Sequence, residues 1–161
     1  MAKAREIAGL RSGDRFADVA VRVVSTRADE LLEHSEGVLE TSKIERVHAM
    51  RVASRRLRAA MEVFAPCFPR KPFKKALKEV KEIADALGER RDCDVSIAAL
   101  RYFGAALSDA DRRGVLMMVE GLEEKQAVAN QGVAPVVERP RLEQLRARIA
   151  ELTAAAERGN A

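Results

Sequence analysis

VHAMRVASRRLRAAMEVF, residues 47–64, sets five basic groups, His48, Arg51, Arg55, Arg56 and Arg58, within eleven positions of a segment whose apolar residues recur at helical spacing. At about 100° per residue, His48, Arg51, Arg55 and Arg58 fall inside an arc of roughly 80°. Ala49, Met50, Ala53, Leu57, Ala60, Met61 and Phe64 take the other side. One cationic face and one apolar face predict a helix that lies on a core and offers its charges to the outside.

The neighbouring segments follow the same rule. Upstream, Phe16, Val19, Ala20, Val23, Ala28, Leu31, Leu32, Val38 and Leu39 predict a first helix from about Asp14, a possible N-cap, to about Glu40, with Gly37 weakening its end. Ser42-Lys43-Ile44-Glu45 fits a capping box and predicts the start of the second helix. Pro66, Pro69 and Pro72 end it, because each lacks a backbone donor and restricts the residue before it. Pro72 suits the first position of a third helix that carries Phe73, Ala76, Leu77, Val80, Ile83, Ala84 and Leu87 and stops at Gly88, a natural C-cap. Asp92 or Asp94 then caps a fourth helix to about Leu107, and Ser108 or Asp109 opens a fifth that reaches about Asn130. A loop from Gln131 to Pro140 precedes a last helix marked by Leu142, Leu145, Ile149 and Leu152. The expected fold is all-α: an antiparallel bundle of about six helical segments, with a basic surface formed by the second and third helices. Residues 1–12 lack a pattern and are expected to be a flexible segment ahead of one domain, 13–161.

Composition agrees with helices packed on helices. The 161 residues are 47% hydrophobic and only 4% aromatic, with no Trp, and they suit one domain with a substantial core. The longest apolar run, Val115 to Val119, falls far short of the about 20 residues that span a bilayer, and no N-terminal segment resembles a signal peptide. A soluble, cytoplasmic protein without membrane contact is expected. Cys67, Cys93, His34 and His48 have no metal-ligand spacing, so neither a disulfide framework nor a metal or other cofactor is expected.

The net charge of +4 conceals an asymmetry, because Lys43 to Lys81 hold twelve Lys or Arg against three Glu. On the third helix Lys71, Lys74, Lys75, Lys78 and Lys81 spread over roughly 120° opposite the apolar stripe. Lysines placed so are commonly a solvated face. The second helix differs, since like charges at i, i+3 and i+4 repel and no acid intervenes between Arg46 and Arg58. Arginine donates bidentate hydrogen bonds to phosphate and stays charged, which points to a polyanionic guest.

Two motifs, H-x-x-R-V-x-x-R-R-L-R in the second helix and L-G-x-x-R-D-x-D-V within LGERRDCDV at 87–95, occur in order. Over residues 16 to 103 the chain resembles the CHAD domain, the conserved-histidine α-helical domain. That resemblance implies a helical bundle whose basic surface binds inorganic polyphosphate without catalysis. His48, Arg51, Arg55, Arg56 and Arg58 would contact the anion, and Lys71, Lys74, Lys75, Lys78 and Lys81 would extend the surface. Arg91 would be a further contact or supporting residue, while Asp92 and Asp94 would cap the following helix and orient nearby arginines. CHAD domains are typically about twice as long, with two pseudo-symmetric halves, and no second copy of the motifs follows Tyr102. The chain therefore resembles a half-length member, in which a homodimer could restore the missing half.

The expected function is non-enzymatic binding of inorganic polyphosphate or another polyanion. Nucleic acid is the less favoured partner, because no aromatic interleaves with the arginines of the second helix to stack on bases. A purely structural dimerising bundle is the remaining alternative. His48 has no carboxylate at i±3 or i±4 to orient it, and no glycine loop grips a phosphate, so no enzyme and no catalytic residue is expected.

Overall fold

The structure is a computed structural model that describes residues 3–159; residues 1 and 2 of the expected flexible segment, with 160 and 161, lie outside the described residues. Among the described residues five α-helices follow one another: α1 (Phe16–Glu33), α2 (Ile44–Val63), α3 (Arg70–Ala105), α4 (Asp109–Val137) and α5 (Arg139–Arg158), with a 3₁₀ turn at Ala65–Cys67. They form an antiparallel all-α bundle. α1 packs between α2 and α5, and α3 lies against α2, α5 and α4.

α2 buries Val47, Met50, Ala53, Leu57 and Met61, the apolar face expected of it. α3 turns Phe73, Ala76, Val80, Ile83 and Leu87 into the same core, and α5 adds Leu142, Leu145, Ile149 and Leu152. Burying side chains of this size contributes about 1.5–3 kcal/mol each, which overrides weak local preferences at helix ends.

Four boundaries differ from expectation. α1 stops at Glu33 rather than near Glu40, and the chain turns through Gly37 at φ 65° to drop Val38 into the core. The positive φ is what demands glycine there, since the atoms nearest an added Cβ are the ends of the flexible Arg46 and Glu40 side chains, which can move aside. The capping box does not form, since α2 begins at Ile44 after Lys43, and no side chain caps it. Lys43 instead turns back to Glu40, its amide donating to the Glu40 carbonyl at 3.1 Å and its ammonium pairing with the carboxylate at 2.7 Å.

The expected third and fourth helices are one 36-residue helix, α3, which runs through Gly88 and leaves Asp92 and Asp94 in its interior rather than at a cap. Pro72 sits in its first turn, two residues after the start. An interior glycine costs about 1 kcal/mol relative to alanine, less than is recovered by keeping Leu87, Arg90, Asp94 and Ile97 buried on one continuous face. α4 likewise runs on through the expected loop, with Pro135 in its last turn, because Val133 and Val136 are buried against the core. A single residue, Glu138, joins it to α5. Ser108 does open α4, its hydroxyl accepting from the Asp111 amide.

Ahead of α1, the Arg5 amide donates to Glu30 at 2.6 Å, Arg27 donates to the Arg5 carbonyl, and Arg22 donates to the Gly9 carbonyl. The segment thus lies along α1. At the other end, the second half of α3 and the first part of α4 form a two-helix hairpin that contributes no residue before Val133 to the main core from α4. Only Ile97, Gly104, Val115 and Val119 are buried along its apolar seam, and Gly104 is small because a Cβ there would meet Val115 at 3.1 Å.

Candidate polyanion-binding surface

α2 and α3 run antiparallel, so the end of α2 faces the lysine-rich start of α3 and its beginning faces Arg91. Glu62 marks the meeting point. Its carboxylate accepts from Arg58 at 3.0 Å across one helical turn and pairs with Lys81 of α3 at 3.7 Å. The hydrogen bond from Arg58 is the main reason that Glu62 titrates below the usual carboxylate range, with Arg58 and Lys81 charges adding to it and partial burial opposing it. One acid therefore serves two cations, and the local balance stays positive.

Arg51 and Arg55 differ from Arg58. Arg55 is exposed and Arg51 half-buried, and neither has an ion pair among the described residues. His48 is half-buried on the same arc. On α3, Lys71 and Lys74 are exposed and carry no ion pair among the described residues. These positions and Lys81 make up the candidate surface, which ends where Asp85, Glu89 and Asp92 succeed the lysines along α3.

Three of the expected contacts point elsewhere. Arg56 stands 80° from His48 around α2 and turns to α1, where it pairs with Glu30 at 3.9 Å. Glu30 is buried, which by itself pushes its carboxyl up, but the Arg5 amide, Arg27 at 2.5 Å and Arg56 together hold it below its ordinary value. Lys75 and Lys78 line a groove between α3 and α5 of about 520 Å³, with Glu79, Glu82, Arg141 and Arg148. There Glu79 pairs with Arg148, and Glu82 pairs with Arg141 and with Lys78 at 3.9 Å. Lys78, Arg141 and Arg148 are thus each paired within the groove. The α5 arginines were not foreseen, and nothing in local spacing could have linked positions about 60 residues away.

The second motif does structural work. Asp94 is buried and accepts from buried Arg90 at 3.2 Å, four residues earlier, pairing with it rather than with the arginines of α2. Gln126 of α4 donates to it at 2.6 Å, which ties α4 to α3. Burial raises the Asp94 carboxyl above its usual range, against the pull of Gln126, Arg90 and Arg91. Asp92 is exposed. Arg91 reaches across to the Ile44 carbonyl at 3.5 Å and braces the start of α2, one turn below His48.

The model of the CHAD domain matches residues 22–161, nearly the whole of this arrangement. The chain belongs to the CHAD domain family. No curated protein and no solved structure compared with this CHAD domain matches it. Among the described residues, no helix is long and apolar enough to cross a membrane.

Proposed function

We propose that this CHAD domain binds inorganic polyphosphate without catalysing a reaction on it, through His48, Arg51, Arg55 and Arg58 of α2 and Lys71, Lys74 and Lys81 of α3. The observation that carries this reading is the pair of arginines, Arg51 and Arg55, held on a packed helix without a carboxylate partner among the described residues. A charged row left uncompensated costs stability through repulsion, and an anionic polymer removes that cost while each phosphate it brings releases condensed cations. The family's association with polyphosphate supports the same guest. Lys75, Lys78 and Arg56 contribute less, because carboxylates already hold them or share their groove. The cytoplasm is the expected setting, in keeping with two unpaired cysteines, Cys67 and Cys93.

Nucleic acid shares the electrostatics but not the stacking. The most exposed aromatic, Tyr102, lies on the distal hairpin, and Phe16 rests on Phe64 with ring centroids 4.9 Å apart. Long-chain polyphosphate should therefore outcompete single-stranded DNA of equal phosphate count at physiological salt. Arg51→Glu/Arg55→Glu should abolish that binding, and incubation should release no orthophosphate. Retained binding by the double variant removes the site, and steady His48-dependent release of orthophosphate overturns the non-enzymatic reading.

A further inference from the structure

The hairpin formed by the end of α3 and the start of α4 exposes large apolar side chains among its charged ones. Val95, Tyr102, Phe103, Leu116, Met117, Met118 and Val128 all lie on it, seven of the eleven large apolar side chains exposed among the described residues. On α4 a strip turned away from the seam with α3 carries Ala110, Gly114, Met117, Met118, Gly121 and Val128, every one exposed, with exposed Arg113, Glu120 and Glu124 alongside it. Met117 is 69% exposed and Val128 67%. A Cβ built on Gly114 or Gly121 would meet nothing within 4 Å, so packing inside this chain does not account for either glycine.

We propose that this face of α4 is where a second copy of the chain docks, with the two α4 helices antiparallel about a two-fold axis beside Met117 and Met118. Charge decides the occupant and the register. Around α4, Arg113 and Glu124 lie on one edge of the apolar strip, and Asp111 and Lys125 on the other. A two-fold axis between antiparallel helices keeps each edge facing the same edge of its mate, and it matches residue i to j and j to i. Centred at Met118, that operation sets Asp111 opposite the mate's Lys125 and brings Arg113 to within one residue of the position opposite the mate's Glu124, each pair occurring twice. Arg113, Glu124 and Lys125 have no ion pair within this chain among the described residues, while Asp111 accepts from the Ser108 hydroxyl at 2.7 Å. Glu120 sits further out on the first edge. Gly121 of one copy meets Gly114 of the other, which lets the backbones approach closely around the paired methionines. The strip offers on the order of 600 Å² per copy, at the low end for a specific interface, so the dimer is expected to be reversible at micromolar concentration.

Light scattering and sedimentation equilibrium of the full chain without polyphosphate, over roughly 1–200 μM, test this. The wild type should interconvert between monomer and dimer. Arg113→Glu and Glu124→Arg should each raise the dissociation constant about tenfold, because each turns two attractive pairs repulsive. The double variant Arg113→Glu/Glu124→Arg should return close to wild type, a rescue that no general loss of folding produces. A wild type that stays monomeric throughout overturns the proposal, as does a dimer indifferent to both single reversals. No arm uses polyphosphate, so failure here and failure of the proposed function are separate results.

Discussion

Glu62→Gln should make the protein bind polyphosphate more tightly. The carboxylate engages Arg58 at 3.0 Å and Lys81 at 3.7 Å, and glutamine preserves its size and one acceptor while deleting the charge. A phosphate seated on those two cations would stand about 6 Å from the carboxylate, where two unit charges repel by about 0.7 kcal/mol in water and about 2.8 kcal/mol at an effective dielectric of 20. Exposure and salt favour the lower end, so the gain is about threefold to tenfold in affinity. One further effective contact should also steepen log K against log salt by about 0.7. The substitution loses only surface ion pairs, under about 1 kcal/mol, so the fold is retained. Glu143→Gln serves as the control, since Glu143 pairs with Arg139 on α5 and its loss changes net charge equally at a distance. Because Arg58 holds the Glu62 carboxyl below its ordinary value of 4.5, wild type keeps the opposing charge throughout the neutral range. Its disadvantage should vanish only as pH falls through that lowered value. Titration by fluorescence anisotropy at several salt concentrations reads both quantities. Unchanged or weaker binding by Glu62→Gln, or an equal gain from Glu143→Gln, refutes the reasoning.

Arg90→Met should destabilise the protein by about 3–5 kcal/mol, since it strands the Asp94 charge in a buried site, whereas Arg90→Met/Asp94→Leu should cost far less. Thermal denaturation of both decides it, and a single variant as stable as the double contradicts the buried-pair account. The same substitution should act in opposite directions at two glycines: Gly88→Ala stabilises by about 0.5–1 kcal/mol through helix propensity, with nothing within 4 Å of the new methyl, while Gly37→Ala destabilises because φ is 65°, a conformation a side chain strains. Denaturant midpoints for the pair check this.

Much of the fold was legible because amphipathic spacing reports burial directly. The faces of α2 and α3, the proline-rich break after Phe64 and the Ser108 start were all readable, since each depends on residues within a turn or two. What escaped was decided by distant neighbours. Gly88 and Pro135 look like stops locally, but the seam with α4 and the main core hold the helix together through both. Ser42 and Glu45 match a capping box, yet the turn to Glu40 captures the start of α2 first. In the candidate site, Glu62 was foreseeable as the acid four residues beyond Arg58, whereas the draw of Glu30 on Arg56 and the pairing of α5 arginines with Glu79 and Glu82 were not.

The continuity of α3 also changes what the charges mean. Its first third carries Arg70, Lys71, Lys74, Lys75, Lys78 and Lys81 against Glu79 beside the end of α2, its middle carries Glu82, Asp85, Glu89 and Asp92 against Arg91 with the buried Arg90–Asp94 pair, and its last third is apolar apart from Ser96 and Arg101, which pairs with Glu123. Split at Gly88, these would be separate elements free to adjust independently. As one helix about 54 Å long, they fix the cationic surface at one end and the hairpin at the other, with an acidic band between them. Repulsion from that band would hold a polyanion bound at the cationic end away from the hairpin, so the two proposals together predict that polyphosphate leaves the monomer–dimer equilibrium of the chain unchanged; a dissociation constant that shifts on its addition contradicts that.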